Sequence, residues 1–146
     1  MRSIGVSNFR IQDLEVINNT RIKPAVNEIE YSAYLQQREL IEYCKNNNIV
    51  PTSYGGLGPI AAFKGGPLDP VLDELSKTYS STPAQIIQRW IITQGVGIVT
   101  TTGKPHRMKE FFEAIQLQIS QEHLNLISTT GANENKRKFW TKEFAN

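Results

Sequence analysis

Two kinds of hydrophobic pattern alternate along this chain. Short apolar or alternating segments predict β-strands, and segments whose apolar residues recur every three or four positions predict amphipathic helices. Predicted strands cover residues 4–7, 25–31, 49–54 and 96–101. Predicted helices cover residues 10–19, 39–47 and 69–79, and three more begin at Pro83, at Pro105 and after Ser120, with a glycine- and proline-rich loop over residues 55–67.

Strand followed by helix, repeated along the chain, is typical of an α/β fold with a parallel sheet and right-handed crossovers. The strands are short and apolar, which indicates a sheet buried on both faces. Four such units can form an open sheet or half of a closed (β/α)8 barrel. Because a whole barrel takes about 250 residues, a chain of 146 residues has room for about half of one.

The C-terminal end differs in composition from the rest. Residues 131–146 are polar and basic, with Phe139 and Trp140 among them. We therefore expect a tail or substrate loop after a body that covers residues 1–130. The basic run at residues 136–138 is predicted to be solvated.

Composition narrows the function classes. The chain has 16 Lys and Arg against 14 Asp and Glu, and this net charge of +2 does not support nucleic-acid binding. The single cysteine, Cys44, excludes a disulfide framework, fits a reducing compartment and is predicted to be a small core residue. His106 and His123 have no acid or cysteine at ligand spacing, so no metal site is expected. No apolar run approaches the ~20 residues that span a bilayer and no signal-peptide core opens the chain, so we expect a cytoplasmic protein without a membrane partner.

Candidate binding residues follow from the predicted topology, since ligands of parallel α/β folds bind at the carboxyl ends of the strands. Those ends are residues 7–8, 28–32, 54–58 and 100–107. Glycines within residues 55–58 would let backbone N–H groups approach phosphates, or they belong to a mobile surface loop.

The last strand end carries the sharper signal. Residues 100–107 combine three threonines with Lys104 and Arg107 where a strand runs into a helix N-terminus, which favours an anion site. The alternative is a threonine-rich cap with solvated cations. Glu28 and Glu30 lie on one side of a predicted strand and form either a carboxylate pair or salt-bridged or hydrogen-bonded acids.

Four motifs, in order and at matching spacing, resemble those of the aldo-keto reductases. They are GVSNF at residues 5–9, VNEIEY at 26–31, SYGGLG at 53–58, and TPAQI through RW at 82–90. The threonine-rich last strand looks most like that of fungal conjugated polyketone and α-keto amide reductases. The resemblance implies a (β/α)8 barrel and assigns these motifs to its strands five to eight, so the chain is expected to be the C-terminal half.

The resemblance implies NADPH as the cofactor, with the nicotinamide held at the first three strand ends. Ser7 and Asn8 would hydrogen-bond its carboxamide. Glu28 stands where the family usually has Gln, and a carboxylate can bond only the carboxamide NH2. Tyr54 would stack on the nicotinamide ring.

The remaining cofactor positions carried over by resemblance surround the phosphates. Leu57 and the glycines that include Gly55 would border the pyrophosphate. The family's phosphate-pairing lysine falls on Thr101, so one phosphate-pairing cation is missing, and Lys104 would replace it from the next turn. Thr101 and Thr102 are themselves expected to contact the cofactor.

Further along, Arg107 matches the arginine that contacts the 2′-phosphate, and Glu110 matches the residue near the adenine. Trp140 resembles part of a C-terminal segment that lines the substrate pocket in this family.

The family's catalytic Tyr, Lys, Asp and His come from the first four strands, and no tyrosine here matches that acid by motif. The chain is therefore expected to be the cofactor-binding C-terminal part of an NADPH-dependent carbonyl reductase, without a catalytic residue of its own. It would need the N-terminal half-barrel or self-association, and its substrate would be a small carbonyl compound. The alternative is a catalytically silent nucleotide-binding or interaction remnant.

Overall fold

The computed structural model describes residues 2–144; Met1 and the last two residues of the predicted tail, Ala145 and Asn146, lie outside the described residues. The strands form a parallel sheet in the order β1-β2-β3-β4. They are β1 (Ile4–Ser7), β2 (Pro24–Glu30), β3 (Val50–Tyr54) and β4 (Gly97–Ile98). The predicted α/β class with a parallel sheet is confirmed.

Helices follow the strands, as the periodicity predicted. They are α1 (Ile11–Asn18), α2 (Arg38–Asn46), α3 (Gly58–Ala61), α4 (Leu68–Thr78), α5 (Pro83–Thr93), α6 (Pro105–Gln116) and α7 (Gln121–Gly131). The one-turn helix α3 lies inside the segment predicted to be a loop. Pro59 in its first turn favours the helical φ that opens it.

The last strand is shorter than predicted, two residues instead of 96–101. Strand β4 stands at the end of the sheet order and pairs with β3 alone, through Thr52 opposite Gly97 and Ser53 opposite Ile98. Because β3 ends at Tyr54, it offers no further backbone groups to pair with, and the threonine-rich segment leaves the sheet.

Helix α5 begins and ends where the sequence predicted. The Thr82 hydroxyl accepts from the backbone N–H of Gln85 at 3.2 Å, and the Gln85 side chain accepts from the Thr82 N–H at 2.9 Å. These two bonds satisfy amides that would otherwise lack partners in the first turn. Gly95, at φ +73°, takes the left-handed conformation just beyond the helix end.

The core lies on one face of the sheet, so the prediction of a sheet buried on both faces is wrong. Ile29 and Ile49 pack with helix residues such as Trp90, and Cys44 is fully buried among them as predicted. The alternate positions face away from the helices, and Val50 is exposed there. This second face is covered only in part, since Glu30 lies on it and is buried.

Helix α6 presents apolar residues to solvent. Its buried residue is Ala114, whereas Met108, Phe112 and Ile115 are exposed. The helix flanks the edge strand β4, and no described element lies beyond that edge to cover the stripe.

Helix α7 packs closely against the rest of the domain. The indole N–H of Trp90 donates to the Ser128 hydroxyl at 2.8 Å, and the Trp90 ring stacks on Tyr31 with centroids 5.6 Å apart. At the end of α7, a side chain on Gly131 would collide with the backbone carbonyl of Ala33. The absence of a Cβ at Gly131 allows this contact.

Candidate functional site

Three strand ends are tied together at one edge of the sheet. The Tyr54 hydroxyl donates to the Asn8 side-chain oxygen at 2.6 Å, and the Asn8 backbone N–H donates to the Glu28 carbonyl at 2.9 Å. The Ser7 hydroxyl donates to the same carbonyl at 3.1 Å. Asn8 has φ +57°, a left-handed conformation that asparagine tolerates better than most residues. The structure therefore brings together the four residues predicted at the nicotinamide.

Burial raises the pKa of the Tyr54 phenol, and the nearby Glu30 carboxylate raises it further, against the opposing effect of the hydrogen bond to Asn8. The phenol is thus protonated at neutral pH and acts as a donor. This bond fixes the orientation of the Tyr54 ring at the end of β3.

The two strand carboxylates have different environments. Glu28 is half-buried on β2, and its side chain makes no hydrogen bond to any other part of the chain within residues 2–144. Glu30 is buried and accepts the backbone N–H groups of Lys138 at 2.7 Å and Phe139 at 2.9 Å. Glu30 is therefore a hydrogen-bonded acid, which is one of the alternatives that the sequence left open.

The prediction that residues 136–138 are solvated is wrong for Arg137, whereas Lys138 is exposed as predicted. The Arg137 side chain is 16% exposed, and its guanidinium lies 3.8 Å from the Glu30 carboxylate. The Lys136 ammonium pairs with Glu134, and its backbone N–H donates to the Tyr34 carbonyl at 2.8 Å. The segment is held because a buried carboxylate requires hydrogen-bonding partners.

Two adjoining cavities run from this edge toward α6. The larger, of ≈ 710 Å³, is lined by Leu57, Thr101, Arg107 and Glu110, four of the predicted cofactor residues. The smaller, of ≈ 370 Å³, is lined by Tyr54, Gly55, Leu57, Thr101 and Phe139, among others. Leu57 and Thr101 border both, so the predicted nicotinamide and adenosine ends lie along one continuous surface.

The larger cavity has a mixed electrostatic character. Arg107, Lys64 and His106 border it together with Asp69 and Asp73. Arg107 and His106 lie in the first turn of α6, where unpaired backbone N–H groups favour an anion, whereas Lys64 lies between α3 and α4. The aspartates come from α4 on another wall.

Three residues predicted at the phosphates and the substrate pocket lie outside both cavities. The Lys104 N–H donates to the Thr102 hydroxyl at 3.1 Å, which shapes the turn before α6, but neither side chain lines a cavity. Trp140 is 53% exposed, and Phe139 occupies the position against Tyr54 instead.

One residue of the site was missed. Gln88 on α5 is buried, lines the smaller cavity, and has no hydrogen-bond partner for either amide atom among residues 2–144. Its only sequence signal is a polar residue within an otherwise apolar helix face. A buried amide without partners is costly, and because both amide atoms are shielded from solvent, a water or ligand in the cavity reaches them only if neighbouring side chains move.

Within residues 2–144, the His, Cys, Asp and Glu side chains form no group of three or more that could hold a metal ion. None of the helices in that range has the length and apolar character required to cross a membrane.

Comparisons with known proteins show the family of this chain. The sequence profile described as the Aldo/keto reductase family matches residues 1–131. The chain therefore belongs to the aldo/keto reductase family.

Two of the curated relatives are fungal reductases about twice as long as this chain. An NAD/NADP-dependent indole-3-acetaldehyde reductase of Schizosaccharomyces pombe is 34% identical over 142 residues, which are 95% of this chain and 50% of the relative. An NADPH-dependent alpha-keto amide reductase of Saccharomyces cerevisiae is 34% identical over 149 residues, 97% of this chain and 48% of the relative. The chain spans about half the length of the curated relatives it matches.

The chain likewise covers half or less of the solved structures described here. An aldo-keto reductase from a deep-sea metagenome superposes with a TM-score of 0.82 at 28% identity, over 94% of this chain and 50% of that one. An aldo-keto reductase complexed with NADPH superposes with a TM-score of 0.82 at 27% identity, over 92% of this chain and 43% of that one.

Proposed function

We propose that this chain is the cofactor-binding, C-terminal half-barrel of an NADPH-dependent reductase of aldehydes or ketones. The observation that supports this most is the continuous surface from Tyr54 through Leu57 and Thr101 to Arg107 and Glu110. It joins residues of β3 and α6 with residues of the segments that follow β3 and β4, in the order that an extended dinucleotide requires.

The residues present fit NADPH. Arg107, exposed at the start of α6, would pair with the 2′-phosphate, and Glu110 one turn later would border the adenine. Tyr54, oriented by its bond to Asn8, would stack on the nicotinamide. When bound, NADPH supplies the hydride for carbonyl reduction.

The tasks of this chain are therefore binding and orientation. Ser7 and Glu28 would meet the carboxamide at the ends of β1 and β2. We assign no residue here to protonate the carbonyl oxygen, and a second half-barrel would contribute that acid and the remaining walls of the site. The catalytically silent alternative predicts the same cofactor binding but no turnover when the complementary half of a relative is supplied.

The test is a fluorescence titration of the chain with NADPH and with NADH. We expect NADPH to bind more tightly than NADH. Arg107→Ala should reduce that preference about tenfold, because it deletes a charge-assisted hydrogen bond worth about 1.5 kcal/mol. Lys109→Ala, on the same helix but outside both cavities, is the matched control and should preserve the preference. Equal affinity for the two cofactors, with Arg107→Ala changing neither, would contradict the assignment.

A further inference from the structure

We propose that Glu30 is a positioning residue that holds residues 137–139 against the nicotinamide end of the site, where Phe139 forms a wall beside Tyr54. This inference rests on the proposed function for its cofactor part. The anchoring of residues 137–139 by Glu30 does not depend on the cofactor.

Glu30 holds the segment through its carboxylate. The two oxygens accept separate backbone amides, from Lys138 at 2.7 Å and Phe139 at 2.9 Å. The Arg137 guanidinium lies 3.8 Å from the Glu30 carboxylate and also lies over the Phe144 ring, 4.1 Å from its centroid. A carboxylate this deeply buried is stable only with such partners, so the segment and Glu30 depend on each other.

The Phe139 ring lies beside Tyr54 and Gly55 at the proposed nicotinamide end of the site. Its ring meets Tyr54 edge-on, with centroids 5.7 Å apart and an interplanar angle of 68°. A Cβ on Gly55 would lie 3.4 Å from the Phe139 ring and 3.5 Å from the Glu30 side chain, and Gly55 also has φ +68°. A Cβ at these distances would make ordinary van der Waals contact, so the left-handed φ, and not the space taken by the ring, favours glycine here.

The segment borders one end of the site only. Lys138 and Phe139 line the ≈ 370 Å³ cavity at Tyr54, whereas none of residues 112–144 lines the ≈ 710 Å³ cavity at Arg107. Releasing the segment should therefore affect contacts to the nicotinamide and leave contacts to the adenosine half unchanged.

The first experiment measures amide hydrogen exchange of the 146-residue chain without cofactor. Glu30→Gln replaces one acceptor by an NH2 donor, so we expect exchange at Lys138 and Phe139 to become at least about tenfold faster. The Lys136 amide, bonded to the Tyr34 carbonyl, should keep its rate. Glu28→Gln is the matched control on the same strand and should change none of these rates. Unchanged exchange at both amides in Glu30→Gln would show that Glu30 does not hold residues 137–139.

The second experiment compares NADPH with adenosine 2′,5′-bisphosphate, which lacks the nicotinamide. Glu30→Gln and Phe139→Ala should each weaken NADPH binding about fivefold, through lost contacts worth about 1 kcal/mol, and leave binding of the bisphosphate unchanged. Equal weakening of both ligands, or no change for NADPH, would overturn the role of the wall.

Phe139→Ala keeps the argument testable if Glu30→Gln does not fold. It should retain the slow exchange of the Lys138 amide, because the Glu30 carboxylate is intact. If wild-type chain binds neither ligand, the proposed function and the cofactor role fall together, while the exchange rates still decide whether Glu30 holds the segment.

Discussion

Removing the exposed apolar stripe of α6 should abolish most self-association of the isolated chain. Strand β4 has one neighbour in the sheet, and such an edge exposes N–H and C=O groups that can pair with another chain. Beside that edge, Phe112 is 73% exposed and Ile115 is 52% exposed. Both also line an apolar cavity of ≈ 250 Å³ between α5, β4 and α6. We predict that a second copy or a complementary half-barrel covers this surface.

The magnitude follows from the exposed area. Full burial of a Phe or Ile side chain contributes about 1.5–3 kcal/mol, so the exposed fractions of these two leave about 2–4 kcal/mol to be gained on covering the stripe. Since about 1.4 kcal/mol changes an equilibrium tenfold, Phe112→Ser with Ile115→Ser should lower the association constant about 30- to 1,000-fold.

Sedimentation velocity and light scattering over a concentration series measure this constant. The control is Leu126→Ser, which removes an exposed apolar side chain from α7, away from the β4 edge, and should leave association unchanged. A wild-type chain that stays monomeric across the series, or a double variant that associates as strongly as wild type, would refute the reasoning.

Two further predictions concern stability. Gly131→Ala should destabilise the chain by about 1–3 kcal/mol, because its methyl group meets the Ala33 backbone, whereas Gly103→Ala, with no atom within 4 Å, should have little effect in the same urea titration. Burial raises the pKa of the Tyr31 phenol above its ordinary value of 10.0, so the unfolded state ionises first and stability falls as pH rises beyond that value. Tyr31→Phe should reduce this alkaline loss by about 1.4 kcal/mol per pH unit, and an unchanged slope of unfolding free energy against pH would contradict it.

The sequence by itself determined the alternation of strands and helices and the start of α5. These features are local: periodicity shows which positions of an element are apolar, and the Thr82 cap bonds a residue three positions away. The burial of Cys44 followed from the same periodicity. The cofactor positions at Tyr54 and Arg107 were carried over from motif resemblance, and their binding role stays a proposal.

The tertiary structure alone decided which face of the sheet is covered and where the tail lies. An apolar strand pattern does not tell whether one or two layers cover it, because that depends on what packs against each face. Glu30 finds its partners in Lys138 and Phe139, 108 and 109 residues away, and Gln88 loses its partners through packing that its own helix does not dictate. Contacts at such separations depend on how all the intervening elements pack, so no local pattern in the sequence predicts them.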